Sequence, residues 1–85
     1  MKVYFNDDSS AQLRDWIKKQ PRTALKIIDL IDNIRETPFE GLGKPERLKH
    51  ELTGLWSRRI TQEHRLVYIV MDDEVEILSC YGHYT

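Results

Sequence analysis

The chain has a single cysteine, Cys80. One thiol closes no internal disulfide and supplies too few ligands for a zinc cluster, so a reducing cytoplasm is the expected setting. No apolar run approaches the ~18–20 residues needed to cross a bilayer. The opening residues, Met1-Lys-Val-Tyr-Phe-Asn-Asp-Asp8, lack the apolar stretch and cleavage site of a signal peptide. Internal repeats, low-complexity tracts and linkers are also missing, and 85 residues give room for one domain, residues 1–85. No glycine-rich phosphate loop precedes a helix and no histidine pair stands at metal-ligand spacing, so neither a cofactor nor a metal is expected. Excess charge of one sign is missing too. A net charge of −1 and a pI near 6.3 argue against a protein that captures free nucleic acid by charge alone.

What is present is enough to fold. Apolar residues make up 40% and charged residues 32% of the chain, with a mean hydropathy of −0.57. The charge is partitioned. Residues 1–40 balance seven basic against seven acidic side chains. Residues 41–70 set Lys44, Arg47, Lys49, Arg58, Arg59 and Arg65 against Glu46, Glu51 and Glu63, a local +3. Residues 71–85 carry four acidic side chains and no Lys or Arg. Cys80 lies in an apolar run and reads as a small buried hydrophobe rather than a reactive thiol.

Alternation and helical periodicity predict an α+β domain. Lys2–Phe5 is a short strand, and Asn6, Asp7, Asp8 and Ser9 supply cap-forming side chains for the helix that follows. Leu13, Trp16, Ile17 and Gln20 recur at helical spacing until Pro21, which breaks that helix and suits the first position of another. The second helix carries an apolar stripe of Ala24, Ile27, Ile28, Ile31 and Ile34, and Thr37-Pro38 ends it. Residues 39–53 read as loop with one short helical turn at residues 45–50. Strands over residues 55–60, 64–71 and 75–81 follow, joined by turns short enough for antiparallel hairpins. The order is β-α-α-β-β-β, two helices on one face of a small, mainly antiparallel sheet. The central strand is apolar on both faces, so its second face needs a cover: the loop, the C-terminal tail or another subunit.

Strand parity places Arg59 opposite to Trp56, Arg58 and Ile60, and Arg65 on the side of Val67. Arg59 and Arg65 flank one turn and could face one phosphate, while the 45–50 loop could drape Glu46 and Lys49 over the same face. If the last strand runs on to residue 83, His83 shares a side with Ile77, Ser79 and Tyr81. Each residue has a plainer reading. Arg58 and Arg59 read as solvated sheet surface pairing with Glu63, Glu74 or Glu76, Glu46 and Lys49 as an i,i+3 surface pair, and His83-Tyr84 as a frayed tail. His50 and His64 read as structural or surface residues.

The combination is more specific than its parts. Pro38-Phe-Glu-Gly-Leu-Gly-Lys-Pro-Glu-Arg-Leu-Lys49, Gly54-Leu-Trp-Ser-Arg-Arg-Ile60, Glu63-His-Arg-Leu-Val-Tyr68 and His83-Tyr84, in that order, resemble the YoeB toxins, the Txe/YoeB branch of the RelE/ParE superfamily. The resemblance is strong over residues 37–70 and in the His-Tyr ending; residues 1–36 match in pattern only. It implies the RelE-like, microbial-RNase-like fold and a ribosome-dependent endoribonuclease that cleaves mRNA at the A site without metal or cofactor. It also implies a YefM-type antitoxin, the 70S ribosome with mRNA as a partner, a homodimer, and no membrane. Position by position, it puts the catalytic carboxylate on Glu46, the catalytic histidine on His83 and phosphate-holding cations on Lys49, Arg59 and Arg65, with Arg65 among the catalytic set. The terminal tyrosine falls on Tyr84. Thr85, one residue past that tyrosine, departs from the family pattern. A non-catalytic relative with this fold, such as a ParE toxin acting on DNA gyrase, is the competing reading, against which the Lys-Pro-Glu block and His-Tyr ending count.

Overall fold

A computed structural model describes residues 1–83 of the chain. In it β1 (Lys2–Phe5) leads into α1 (Asp7–Lys19) and α2 (Pro21–Glu36), and then into β2 (Glu46–Arg47), β3 (Leu55–Arg59), β4 (Arg65–Met71) and β5 (Glu74–Ser79). The five strands form one sheet in the order β1-β5-β4-β3-β2. β1 is parallel to β5, and every other neighbouring pair is antiparallel. This is the expected α+β arrangement with one added edge strand. No helix among the described residues is long and apolar enough to cross a membrane.

The helices begin where the side chains allow. The Asn6 carboxamide accepts the Ser9 N–H at 2.8 Å, and Asp7 and Asp8 sit in the positive first turn while Lys18 and Lys19 sit in the last. Pro21 occupies the start of α2, where its missing N–H costs nothing. α2 buries Ala24, Ile27, Leu30, Ile31 and Ile34 against Leu66, Tyr68, Val75 and Ile77 of the sheet and Trp16 of α1. The expected stripe is corrected at Ile28, which is exposed; Leu30, one turn from Ile27 and Ile34, takes the inward position. Ile17 is exposed as well. Trp56 is half-buried, its ring 4.9 Å from that of Phe39.

Three further expectations are corrected. The short helical turn does not fall at residues 45–50: Glu46 and Arg47 pair with Ser57 and Trp56 as an edge strand, and a 3-10 turn comes later, at His50–Leu52. β5 ends at Ser79, and a bulge beside Val67/Tyr68 pairs Ile77 with Tyr68 but Ser79 with Val67. The extra residue reverses parity, so Ser79 and Ile77 face opposite sides. Arg58 is not solvated surface but completely buried.

Candidate active site

The β3–β4 hairpin builds the centre. Its register sets Arg59 directly opposite Arg65, on the side of the sheet away from the helices. Like charges facing each other across two strands destabilise the pair unless an anion comes between them. The Arg65 guanidinium is held by the turn at one terminal nitrogen, Nη1, which donates to the carbonyls of Thr61 (2.9 Å), Gln62 (3.2 Å) and His64 (3.2 Å).

The segment before β3 supplies the wall. Arg59 N–H donates to the Gly43 carbonyl at 2.7 Å. Gly43 has φ +78°, and a Cβ there would lie 2.9 Å from Leu30 and 3.1 Å from the Arg59 carbonyl; only glycine fits this approach. Lys44 takes a left-handed backbone (φ +52°), after which the chain pairs as a strand at Glu46–Arg47; Lys44, Glu46 and Leu48 line the space beside Arg59 and Arg65. With Ser57 and His83 they line a cleft of about 270 Å³. Lys49 lines a neighbouring depression with Glu46, Arg47, Leu48, His50, Glu51 and Leu52. The i,i+3 pairing of Glu46 with Lys49 presupposed a helix that does not form. Thus Glu46, Arg59, Arg65 and His83 meet in one cleft and Lys49 stands on its flank. Tyr84 lies outside the described residues. Among the described residues Glu46 forms no ion pair, the two surface pairs being Lys19–Asp15 and Arg35–Asp32.

Lys44 and Ser57 are cleft residues that the sequence reading missed. The only signal for Lys44 was its place between Gly43 and Pro45 inside the Lys-Pro-Glu block.

The tail that carries His83 is fastened residue by residue. Gln12 accepts the Cys80 N–H (2.7 Å) and Trp16 Nε1–H donates to the Cys80 carbonyl (2.8 Å). Gly82 receives the Arg65 N–H at its carbonyl (2.8 Å) and donates its own N–H to His64 Nδ1 (3.0 Å). The segment is therefore anchored up to Gly82, the residue before His83.

Cys80 is buried completely with Ser9 O as the acceptor of its thiol, and burial raises its pKa from 9.0 to about 11. The folded protein holds the thiol proton more tightly than the unfolded chain. Its contribution is therefore intact below pH 9 and lost as pH rises through 11. In urea titrations the stability difference between wild type and Cys80→Ala should shrink over that window. A difference constant to pH 11 counts against the buried, neutral thiol.

A carboxylate and an imidazole lining one cleft with three cations are equipment for moving protons around a phosphorus atom. The model of a "YoeB-like toxin of bacterial type II toxin-antitoxin system" matches residues 5–84. The chain belongs to that family. Toxin YoeB of Escherichia coli K12 is 51% identical, covering 99% of this chain and 100% of its own. The YoeB/ParE toxin of Agrobacterium tumefaciens superposes with a TM-score of 0.95 at 45% identity, over 99% of this chain and 100% of that one. The Staphylococcus aureus YoeB, 39% identical over 99% of this chain and 98% of its own, has been solved as a dimer (TM-score 0.91) and in a heterotetrameric complex with YefM (TM-score 0.89). This YoeB-like toxin thus shares the fold of its relatives along essentially its whole length.

Proposed function

We propose that the protein is an mRNA endoribonuclease that acts on message held by the ribosome. The observation that carries this reading is the convergence of Glu46, Arg59, Arg65 and His83, from four separate stretches of chain, on one cleft. Glu46 removes the proton from the ribose 2′-hydroxyl, whose oxygen attacks the adjacent phosphorus. The bond from phosphorus to the 5′-oxygen breaks, and His83 protonates that leaving oxygen. The products are a 2′,3′-cyclic phosphate and a 5′-hydroxyl. Arg59, Arg65 and Lys44 stabilise the charge that develops on the phosphorane. Lys49, on the flank, holds the strand beyond the scissile phosphate, and Tyr84 stays with the RNA-contacting set that the family resemblance assigns. The chemistry needs no metal, and it needs the 2′-hydroxyl, so DNA is inert to it.

The ribosome enters because the protein is poorly equipped to collect RNA itself. Its net charge is −1, its local excess of positive charge is confined to residues 41–70, and a substrate already threaded through a decoding site removes that difficulty. In a cytoplasm full of message such an enzyme must be held in check. A YefM-type antitoxin suits this role. An acidic segment folding onto the sheet would pair with Arg59 and Arg65 and displace the tail at His83, and the entropy lost in ordering it calls for a large wrapped surface. Exposed Phe39, Leu42, Met71 and Tyr81 offer apolar area for such a partner or for a second copy of the chain, as in the staphylococcal dimer.

Cleavage of an RNA should therefore be fast with ribosomes paused on it, and slow on the naked transcript, with ends mapping to the A-site codon. Adding the co-expressed antitoxin should stop it. Equal rates on naked and translating message remove the ribosome from the scheme. DNA damage without RNA cleavage would favour action on gyrase instead.

A further inference from the structure

The proposed acid sits on a tail whose last residue before His83 is gripped twice by the start of β4. Gly82 C=O accepts from the Arg65 backbone N–H (2.8 Å), and Gly82 N–H donates to His64 Nδ1 (3.0 Å). Both groups of one residue can turn toward the same strand because Gly82 has φ +85°, a region that side-chain-bearing residues avoid. His64 is itself fixed. Its ring meets Trp16 edge-on at 4.8 Å and 80° and lies 4.7 Å from the ring of Tyr81, and its backbone N–H donates to Thr61 Oγ1 at 3.1 Å. An Nδ1 that accepts an N–H carries no proton, so the neutral ring holds its proton on Nε2.

We infer that His64 is a positioning residue for His83: its Nδ1, by accepting the Gly82 N–H, fixes the backbone from which His83 enters the cleft. The inference rests on the reading of His83 as the general acid. Its physical basis is tolerance. Proton transfer in the transition state requires heavy atoms within roughly 2.6–3.2 Å, and misplacement by about 1 Å can cost on the order of 10²-fold in rate. Arg65 and His64 are consecutive residues at the entry to β4, so the phosphate-binding guanidinium and the acid take their positions from the same two residues. Aromatic packing of His64 alone would leave the Gly82 N–H a replaceable contact. The geometry instead assigns the imidazole a second task for which a ring without a nitrogen is no substitute.

Two variants separate these tasks. His64→Phe keeps a ring between Trp16 and Tyr81 but removes the acceptor. His64→Asn removes the ring but places a carboxamide oxygen close to where Nδ1 stood. On ribosome-bound message, His64→Phe should lower turnover at least tenfold with little change in KM, and His64→Asn should recover most of it. Turnover of His64→Phe equal to or above that of His64→Asn overturns the inference, since ring packing would then be what matters. If His64→Asn fails to fold, nitrogen NMR of the wild-type protein decides instead. His64 must show the Nε2–H tautomer, with coupling from Nδ1 to the Gly82 amide; an Nδ1–H tautomer ends the proposal. His83→Gln keeps the two failures apart. If it is inactive while His64→Phe matches wild type, only the positioning role falls; if it cleaves at the wild-type rate, the reading of His83 falls first.

Discussion

Arg58→Ala should be among the most destabilising single changes in this protein, at about 3–5 kcal/mol, a large part of the ~5–15 kcal/mol that holds a domain together. Arg58 is completely buried, and no carboxylate pairs with it among the described residues. Its charge is spread instead over neutral acceptors. Nε donates to Tyr68 Oη (3.1 Å), one terminal nitrogen to Asn33 Oδ1 and the Leu42 carbonyl (3.1 Å), and the other to the carbonyls of Thr37 (2.6 Å) and Glu40 (3.0 Å). All five N–H groups of the guanidinium are used. Truncation leaves these acceptors dry and unpaired, at roughly 1–3 kcal/mol for each one that water cannot reach. It also frees the 37–42 loop, which delivers Lys44 and Glu46 to the cleft. Arg58→Lys should recover only part of the loss, because an ammonium has three donors on one atom and cannot reproduce the planar fork. Tyr68→Phe, which strands the Pro38 carbonyl now receiving the Tyr68 hydroxyl (2.7 Å), should cost about 1–3 kcal/mol. Urea midpoints by tryptophan fluorescence measure all three. A loss under about 1 kcal/mol for Arg58→Ala would mean that water replaces the guanidinium and the hub is dispensable.

Arg58 also marks where the sequence stopped being legible. Parity put it on the side of Trp56 and Ile60, which is the core side, but charged residues are so rarely buried unpaired that the solvated reading prevailed. The acceptors that reverse this come from carbonyls 16–21 residues away in the chain, and backbone carbonyls have no sequence signature. The helices, by contrast, were legible from their caps and from Pro21, and the three long strands from alternation between short turns. β2 was not, since two residues are too few to show a period. The bulge in β5 was invisible because one inserted residue has no compositional mark, yet it reverses which side every later residue faces. The resemblance carried by their blocks singles out Glu46, Arg59, Arg65 and His83, and all four line one cleft. Lys44 was missed because its place in the cleft depends on a left-handed turn at that residue, which has no compositional mark, and His64 because its contact with the Gly82 N–H joins residues 18 apart in the chain.

The cleft's own charges provide the sharpest remaining test. Glu46→Gln should lower cleavage of ribosome-bound message by about 10²–10⁴, the usual contribution of a general base, while leaving the fold intact, because Glu46 is exposed on an edge strand. It should not weaken RNA binding. Among the described residues Glu46 is the one carboxylate lining a cleft that also holds Lys44, Arg59 and Arg65, so neutralising it makes the site more attractive to phosphate, and affinity should hold or rise while turnover collapses. His83→Gln should lose activity on the same scale. The pH–rate profile of the wild type should be treated as that of a Glu46–His83 pair rather than of two independent groups. Arg65→Ala removes charge stabilisation that exists only as the phosphorane forms and should cost about 10²–10³. Arg59→Ala has a different signature. It removes one of two like charges carried by directly opposed residues in the strand register, so the free protein should become more stable by about 0.2–1 kcal/mol even as cleavage falls. Stability gained and activity lost in one substitution is the mark of charges assembled for an absent anion. A destabilised Arg59→Ala, or a Glu46→Gln variant that binds RNA more weakly than wild type, would show that these side chains hold the fold together rather than the substrate.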